Sequence, residues 1–104
     1  MAPDLAKIRR EGMRWNLIST LNKFRPYTTA EQRIVEVMQA IYPDTTPMEV
    51  RRELDYLADR KLVTLEKQPA GTWFADLTHY GVDLAEYTSE CYPGIARPEK
   101  YWSE

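Results

Sequence analysis

The chain has 104 residues, of which 43% are hydrophobic, 29% charged and 12% aromatic, a composition that fits one globular domain and excludes an intrinsically disordered chain. Its formal net charge is −2, from 14 Lys+Arg against 16 Asp+Glu, so the overall basic footprint common in nucleic-acid binders is absent. No apolar run approaches the roughly 18 residues of a membrane span, Met1-Ala2-Pro3-Asp4 lacks the apolar stretch of a secretion signal, and the lone Cys91 has no partner for an intrachain disulfide. A cytoplasmic protein is the expectation. The charge is uneven: residues 1–52 hold nine basic and six acidic side chains, a balance of +3, whereas residues 53–104 hold five and ten, a balance of −5. A polyanionic partner should meet the first half.

The first element reads as a helix from about Asp4 to Phe24. Asp4 offers an N-cap after Pro3, and Met13, Leu17, Leu21 and Phe24 recur at helical spacing with Ile18 beside them. Gly12 is a place where it loosens or breaks. The early cations Lys7, Arg9, Arg10 and Arg14 form either a basic arm or one face of an ordinary amphipathic helix. Arg25-Pro26-Tyr27 stops the helix, because proline removes an amide donor and clashes with the preceding turn.

Thr28 followed by Glu31 is a capping-box pattern, which starts a second helix over about Ala30 to Tyr42. Ile34, Val37, Met38 and Ile41 are its expected apolar face, and Pro43-Asp44 ends it in a turn. The third helix has the clearest start: Thr46 as N-cap, Pro47 at the first helical position and Glu49 as the capping acid. Val50, Leu54, Leu57 and Lys61 share a face, of which the apolar members point to the core. Met48, Arg52, Asp55, Tyr56 and Asp59 are assigned to the opposite face, and the helix should end near Arg60.

The period then changes to two. Val63, Leu65 and Lys67 alternate with Thr64 and Glu66; Gln68-Pro69-Ala70-Gly71 is turn chemistry; Thr72 to Leu77 returns as a second strand, with Trp73, Ala75 and Leu77 on one face. Together they make a β-hairpin. Thr78 caps a last helix to about Thr88 that carries Tyr80, Leu84 and Tyr87. The chain divides into a domain over residues 1–88 and a tail over 89–104, which Pro93-Gly94 and Pro98 should keep irregular. Its aromatics Tyr92, Tyr101 and Trp102, with Trp15 and Tyr87, either pack on the domain or form a dimer interface, since large aromatics are enriched in interface cores.

Chemistry is sparse. His79 and Cys91 stand outside any metal-ligand or nucleophile pattern, and the glycines at 12, 71, 81 and 94 match neither common phosphate motif. No enzyme activity, metal or cofactor is expected.

The order helix, helix, short turn, helix, hairpin, helix resembles the winged helix-turn-helix family over roughly residues 13–88, an α+β and mostly helical fold. The local match lies in Val50-Arg51-Arg52-Glu53-Leu54-Asp55-Tyr56-Leu57, then Asp59-Arg60-Lys61-Leu62-Val63, and in Leu77-Thr78 followed by Gly81. The size and the run Pro93-Gly94-Ile95-Ala96-Arg97-Pro98 also look like small proteins of Mu-like phages and prophages. The family resemblance implies that the third helix enters the DNA major groove while the wing meets the backbone or minor groove. Arg52 is then the base-reading candidate, with Met48 and Tyr56 nearby. Thr45, Thr46, Arg51, Lys67, Arg33, Lys23 and Arg25 are the candidate phosphate contacts. The implied protein is a homodimeric DNA-binding regulator. The alternative is a winged-helix module that docks protein instead, which the acidic second half and aromatic tail favour.

Overall fold

The first helix of the structure, a computed structural model describing residues 2–100, is capped by Asp4, whose carboxylate accepts from the Lys7 amide at 3.1 Å. This helix, α1, runs unbroken over Leu5–Phe24. Gly12 does not interrupt it. A Cβ there would lie 2.8 Å from the Tyr42 hydroxyl, so the missing side chain lets the Tyr42 ring approach. Met13, Leu17, Ile18 and Leu21 are buried as the spacing requires.

The capping box at Thr28 and Glu31 does not form. Thr28 donates its hydroxyl to the Asp76 carboxylate at 3.0 Å, and Thr29–Ala30 form a short strand, β1. The helix α2, Glu31–Ile41, therefore starts from an extended Ala30 with no side-chain cap. Its buried face is Ile34, Val35 and Met38, whereas Val37 is half-buried and Ile41 is 46% exposed. The face is rotated from the expected one because α3 lies on the Val35 side, where Val35 lines one hollow with Pro47 and Arg51.

The helix α3, Pro47–Asp59, follows its sequence signals. The Thr46 hydroxyl accepts from the Glu49 amide at 3.2 Å, and Val50, Leu54 and Leu57 are fully buried. Burial of each such side chain is worth roughly 1.5–3 kcal/mol. Lys61 does not extend the stripe. It takes a left-handed φ of 64°, while the Leu62 amide donates to the Leu57 carbonyl at 3.0 Å and the Lys61 amide to Ala58 at 2.9 Å, the hydrogen-bond pair that closes a helix C-terminus.

The strands β2, Val63–Lys67, and β3, Trp73–Leu77, pair antiparallel from Val63↔Leu77 to Lys67↔Trp73. The hairpin expectation omitted a third strand: β1 pairs with β3 through Thr29↔Ala75, so the sheet order is β1-β3-β2. Two residues are too few for alternation to register. Ala75 is buried, with Trp73 and Leu77 partly buried beside it. The last helix, α4, spans His79–Ala85 and stops short of the expected Thr88; Leu84 is buried and Tyr80 exposed.

Four helices and this antiparallel sheet make a mostly helical α+β domain whose core lies between α1, α2, α3 and the sheet. After α4, residues 86–100 are irregular but docked. Ile95 joins the core, the Ala96 amide donates to the Glu11 carbonyl at 3.1 Å, and Arg97 donates to the carbonyls of Leu84 and Ser89. Among the described residues no helix is long and apolar enough to cross a membrane.

Candidate nucleic-acid interface

A helix turns about 100° per residue, so the buried line Val50, Leu54, Leu57 sends Met48, Arg52, Asp55 and Asp59 to the outer face of α3. Met48 is 68% exposed. Arg52 is exposed and has no hydrogen bond or ion pair among the described residues. Of the two threonines before the helix, Thr46 is exposed at the cap. Thr45 is buried, donating its hydroxyl to the Tyr42 carbonyl at 2.6 Å, so it is a turn residue rather than a surface donor.

Arg51 lies one residue, and a quarter turn, from Arg52, yet it is fully engaged. Its Nε donates to Glu31 Oε2 at 2.7 Å and its Nη2 to Glu31 Oε1 and to the Gly71 carbonyl in the hairpin turn. The guanidinium carbon lies 4.7 Å from the centre of the Trp73 ring, and the Trp73 amide donates to Glu31 Oε1 at 3.0 Å. One carboxylate and one guanidinium thus tie the start of α2, the flank of α3 and the tip of the hairpin into one body. The hydrogen bond from Arg51 holds the Glu31 carboxyl below the usual carboxylate range. Burial opposes this and the Trp73 amide assists it. The same hydrogen bond raises Arg51.

A second link joins hairpin and helix. Lys67 Nζ lies 3.0 Å from Asp55 Oδ1 and 4.3 Å from the Trp73 ring centre. The hairpin lysine therefore offsets one of the two carboxylates on the outer face of α3.

The other flank of α3 faces α1. Arg9 forms a two-point contact with Glu49, at 2.7 and 3.0 Å, and reaches Asp44 at 2.9 Å. Both carboxylates raise the Arg9 guanidinium, Glu49 more than Asp44, and the contact lowers Asp44. Deeper down, Arg14 Nε donates to Glu53 Oε1 at 2.7 Å and Arg14 Nη1 to the Gly94 carbonyl at 2.9 Å. Gly94 has a φ of +90°, and a Cβ there would lie 2.2 Å from the Tyr56 hydroxyl, so no larger residue fits the place where the tail crosses α3.

These contacts redistribute the sequence candidates. Arg9 and Arg14 brace the fold from within a continuous helix rather than riding on a separate basic arm. Tyr56 is not on the outer face. It is half-buried, with the guanidinium carbons of Arg14 and Arg60 at 3.4 and 3.5 Å from its ring centre. Lys23, Arg25 and Arg33 gather at the α1–α2 side of the domain, where Arg25 donates to Asn22 at 2.8 Å and Arg33 lies 3.8 Å from Glu36. Trp15 and Tyr87 pack edge to face with centroids 5.9 Å apart, the Tyr87 hydroxyl donates to the Pro98 carbonyl at 2.7 Å, and Tyr92 is exposed. Tyr101 and Trp102 lie outside the described residues.

The charged residues that organise the site, Glu31, Glu53 and Arg14, were not singled out from sequence as structural partners. Glu53 sits at the edge of the apolar arc of Val50, Leu54 and Leu57, beside Leu57, and a carboxylate buried there implies a cation opposite. That signal was available. Among the described residues no group of three His, Cys, Asp or Glu is placed to hold a metal ion. Comparison with protein-family models, curated proteins and solved structures gave no match.

Proposed function

We propose that this chain is a winged-helix protein that binds double-stranded DNA, with α3 in the major groove and the β2–β3 hairpin as the wing against the backbone, acting as a homodimeric regulator of phage or prophage type. The observation that carries the reading is the exposed, unengaged Arg52 beside Met48 on a capped helix whose neighbouring Arg51 is committed to the wing. A free guanidinium on such a face can donate bidentately to guanine. The wing is held at two points, by Arg51 on Gly71 and by Lys67 on Asp55, so helix and wing meet a ligand as one surface. Thr46 adds a surface position at the helix start, where backbone amides favour phosphate.

Arg52→Ala tests this reading. Specific binding should weaken by about 1–3 kcal/mol with relaxed preference at one base position, and the thermal midpoint should stay within the small range typical of surface substitutions. Unchanged affinity and selectivity would remove Arg52 from the interface. A protein-docking role for the same face is favoured by one feature: Asp59 shares that face with Arg52 and has no ion pair among the described residues, which is unfavourable near phosphate.

A further inference from the structure

A groove runs between α1 and α2 on the flank of α2 turned away from α3. It consists of two hollows that meet at Phe24. One, of about 310 Å³, is floored by Val37 and Ile41 and rimmed by Lys23. The other, of about 370 Å³, lies against Tyr27 and Phe74 and is rimmed by Arg33. Val37 and Ile41 stand four residues apart, the spacing of one helical face. Ile41 is 46% exposed and Tyr27 77% exposed, so apolar surface here is open to water. No carboxylate lines either hollow among the described residues. Lys23 has no ion pair among the described residues, and Arg33 meets Glu36 only at 3.8 Å with both side chains mostly exposed.

We propose that this groove is a docking site for an acidic segment of another protein, which lays the apolar face of an amphipathic helix along Val37, Ile41 and Phe24 and sets its carboxylates against Lys23 and Arg33. The stretch from Asn16 to Phe24 is about 12 Å of helix, enough for two turns of a partner with anchors at i and i+3 or i+4. Charge complementarity selects the occupant. A second copy seated by two-fold symmetry would bring Lys23 and Arg33 of one chain against the same cations of the other. Lys23, Arg33 and the hydroxyls of Ser19, Thr20 and Thr28 could also meet phosphates, but DNA would leave the exposed Ile41 and Tyr27 unburied, whereas a protein that covers them gains their burial. The site is separate from α3 and stands whether or not α3 reads DNA.

The test is selection of an unbiased library of displayed 16-residue peptides against the full chain, followed by solution titration of the enriched peptides. Enriched peptides are expected to be net negative with apolar residues at helical spacing. Ile41→Glu should weaken their binding at least tenfold. The pair Lys23→Glu with Arg33→Glu should do the same and should regain affinity for peptides whose acids are changed to lysine. Arg52→Ala should bind them unchanged, which separates this site from the proposed DNA face. Ile41 is exposed, so its variant should keep the wild-type circular dichroism and thermal midpoint. Three results overturn the proposal: no enrichment, enrichment without acidic excess, or binding indifferent to Ile41 and to the charge swap. Loss of duplex DNA binding in the Lys23 and Arg33 variants, with no peptide bound, would assign the surface to DNA instead.

Discussion

On the hairpin flank, α3 supplies the cation, Arg51, to a carboxylate on α2; on the α1 flank it supplies the carboxylates, Glu49 and Glu53, to arginines on α1. The Arg14–Glu53 pair of the α1 flank also lies deeper than the Arg51–Glu31 pair, whereas Arg9–Glu49 is about as open as Arg51. The side chains of Glu53 and Arg14 are 2% and 11% exposed, whereas Arg51 is 34% exposed. The inner pair is largely closed over by the Gly94 carbonyl and the Tyr56 ring, which leaves its charges little access to water as a substitute partner. The hairpin pair is open at the Arg51 side and ends on the carbonyl of an exposed turn. The same chemistry therefore serves different ends. One flank fixes where α3 sits in the fold, and the other fixes where the hairpin sits on α3.

The largest expected effect is on the inner flank. Glu53→Ala leaves Arg14 buried without its counter-charge, which should cost roughly 3–5 kcal/mol. For a domain near this size that lowers the thermal midpoint by more than about 12 °C, measured by calorimetry. Replacing both partners, Arg14→Met with Glu53→Leu, should recover most of the loss, because well-packed apolar pairs substitute for buried ion pairs at little cost. A loss in Glu53→Ala no larger than a surface substitution would erase the distinction between the flanks.

The hairpin flank should respond less in stability and more in local mobility. Glu31→Gln removes the charge opposite Arg51 and should cost about 1–3 kcal/mol, with faster hydrogen exchange at the Trp73 amide that Glu31 now accepts. Acid should act through the same group. Because the folded protein holds the Glu31 carboxyl below its ordinary value, the unfolded chain binds its proton first as pH falls. The contribution is present above the unfolded value, near 4.5, and is lost as pH falls through the lower folded value. Glu31→Gln should thus flatten the acid limb of the stability profile. An unchanged limb would mean that the clamp carries no charge-dependent stability.

Much of the fold was legible in sequence because it rests on local signals. The Thr46-Pro47 start of α3, the core line Val50, Leu54, Leu57 and the Val63–Leu77 hairpin all follow from capping chemistry and periodicity. What was not legible depends on partners distant in the chain. Glu31 reads locally as a capping acid, and only the arrival of β3 and Arg51 makes it a clamp. The end of α3 near Arg60, with Lys61 turned to water, was legible, and only the left-handed turn at Lys61 that closes it was not. Tyr56 reads as surface because the segment that covers it, at Gly94, lies far along the chain. Arg51 and Arg52 are indistinguishable as letters, and a quarter turn of helix gives one to Glu31 and the hairpin turn and leaves the other without an ion pair among the described residues.

In the proposed reading the β2–β3 hairpin and the outer face of α3 form one DNA-binding surface, and duplex DNA binding across a salt series, for the wild type and for Lys67→Ala, tests it. The logarithm of the affinity should fall linearly with the logarithm of salt concentration, and Lys67→Ala should lower affinity for all sequences and reduce the slope by about 1. No salt-sensitive binding at low ionic strength would contradict it.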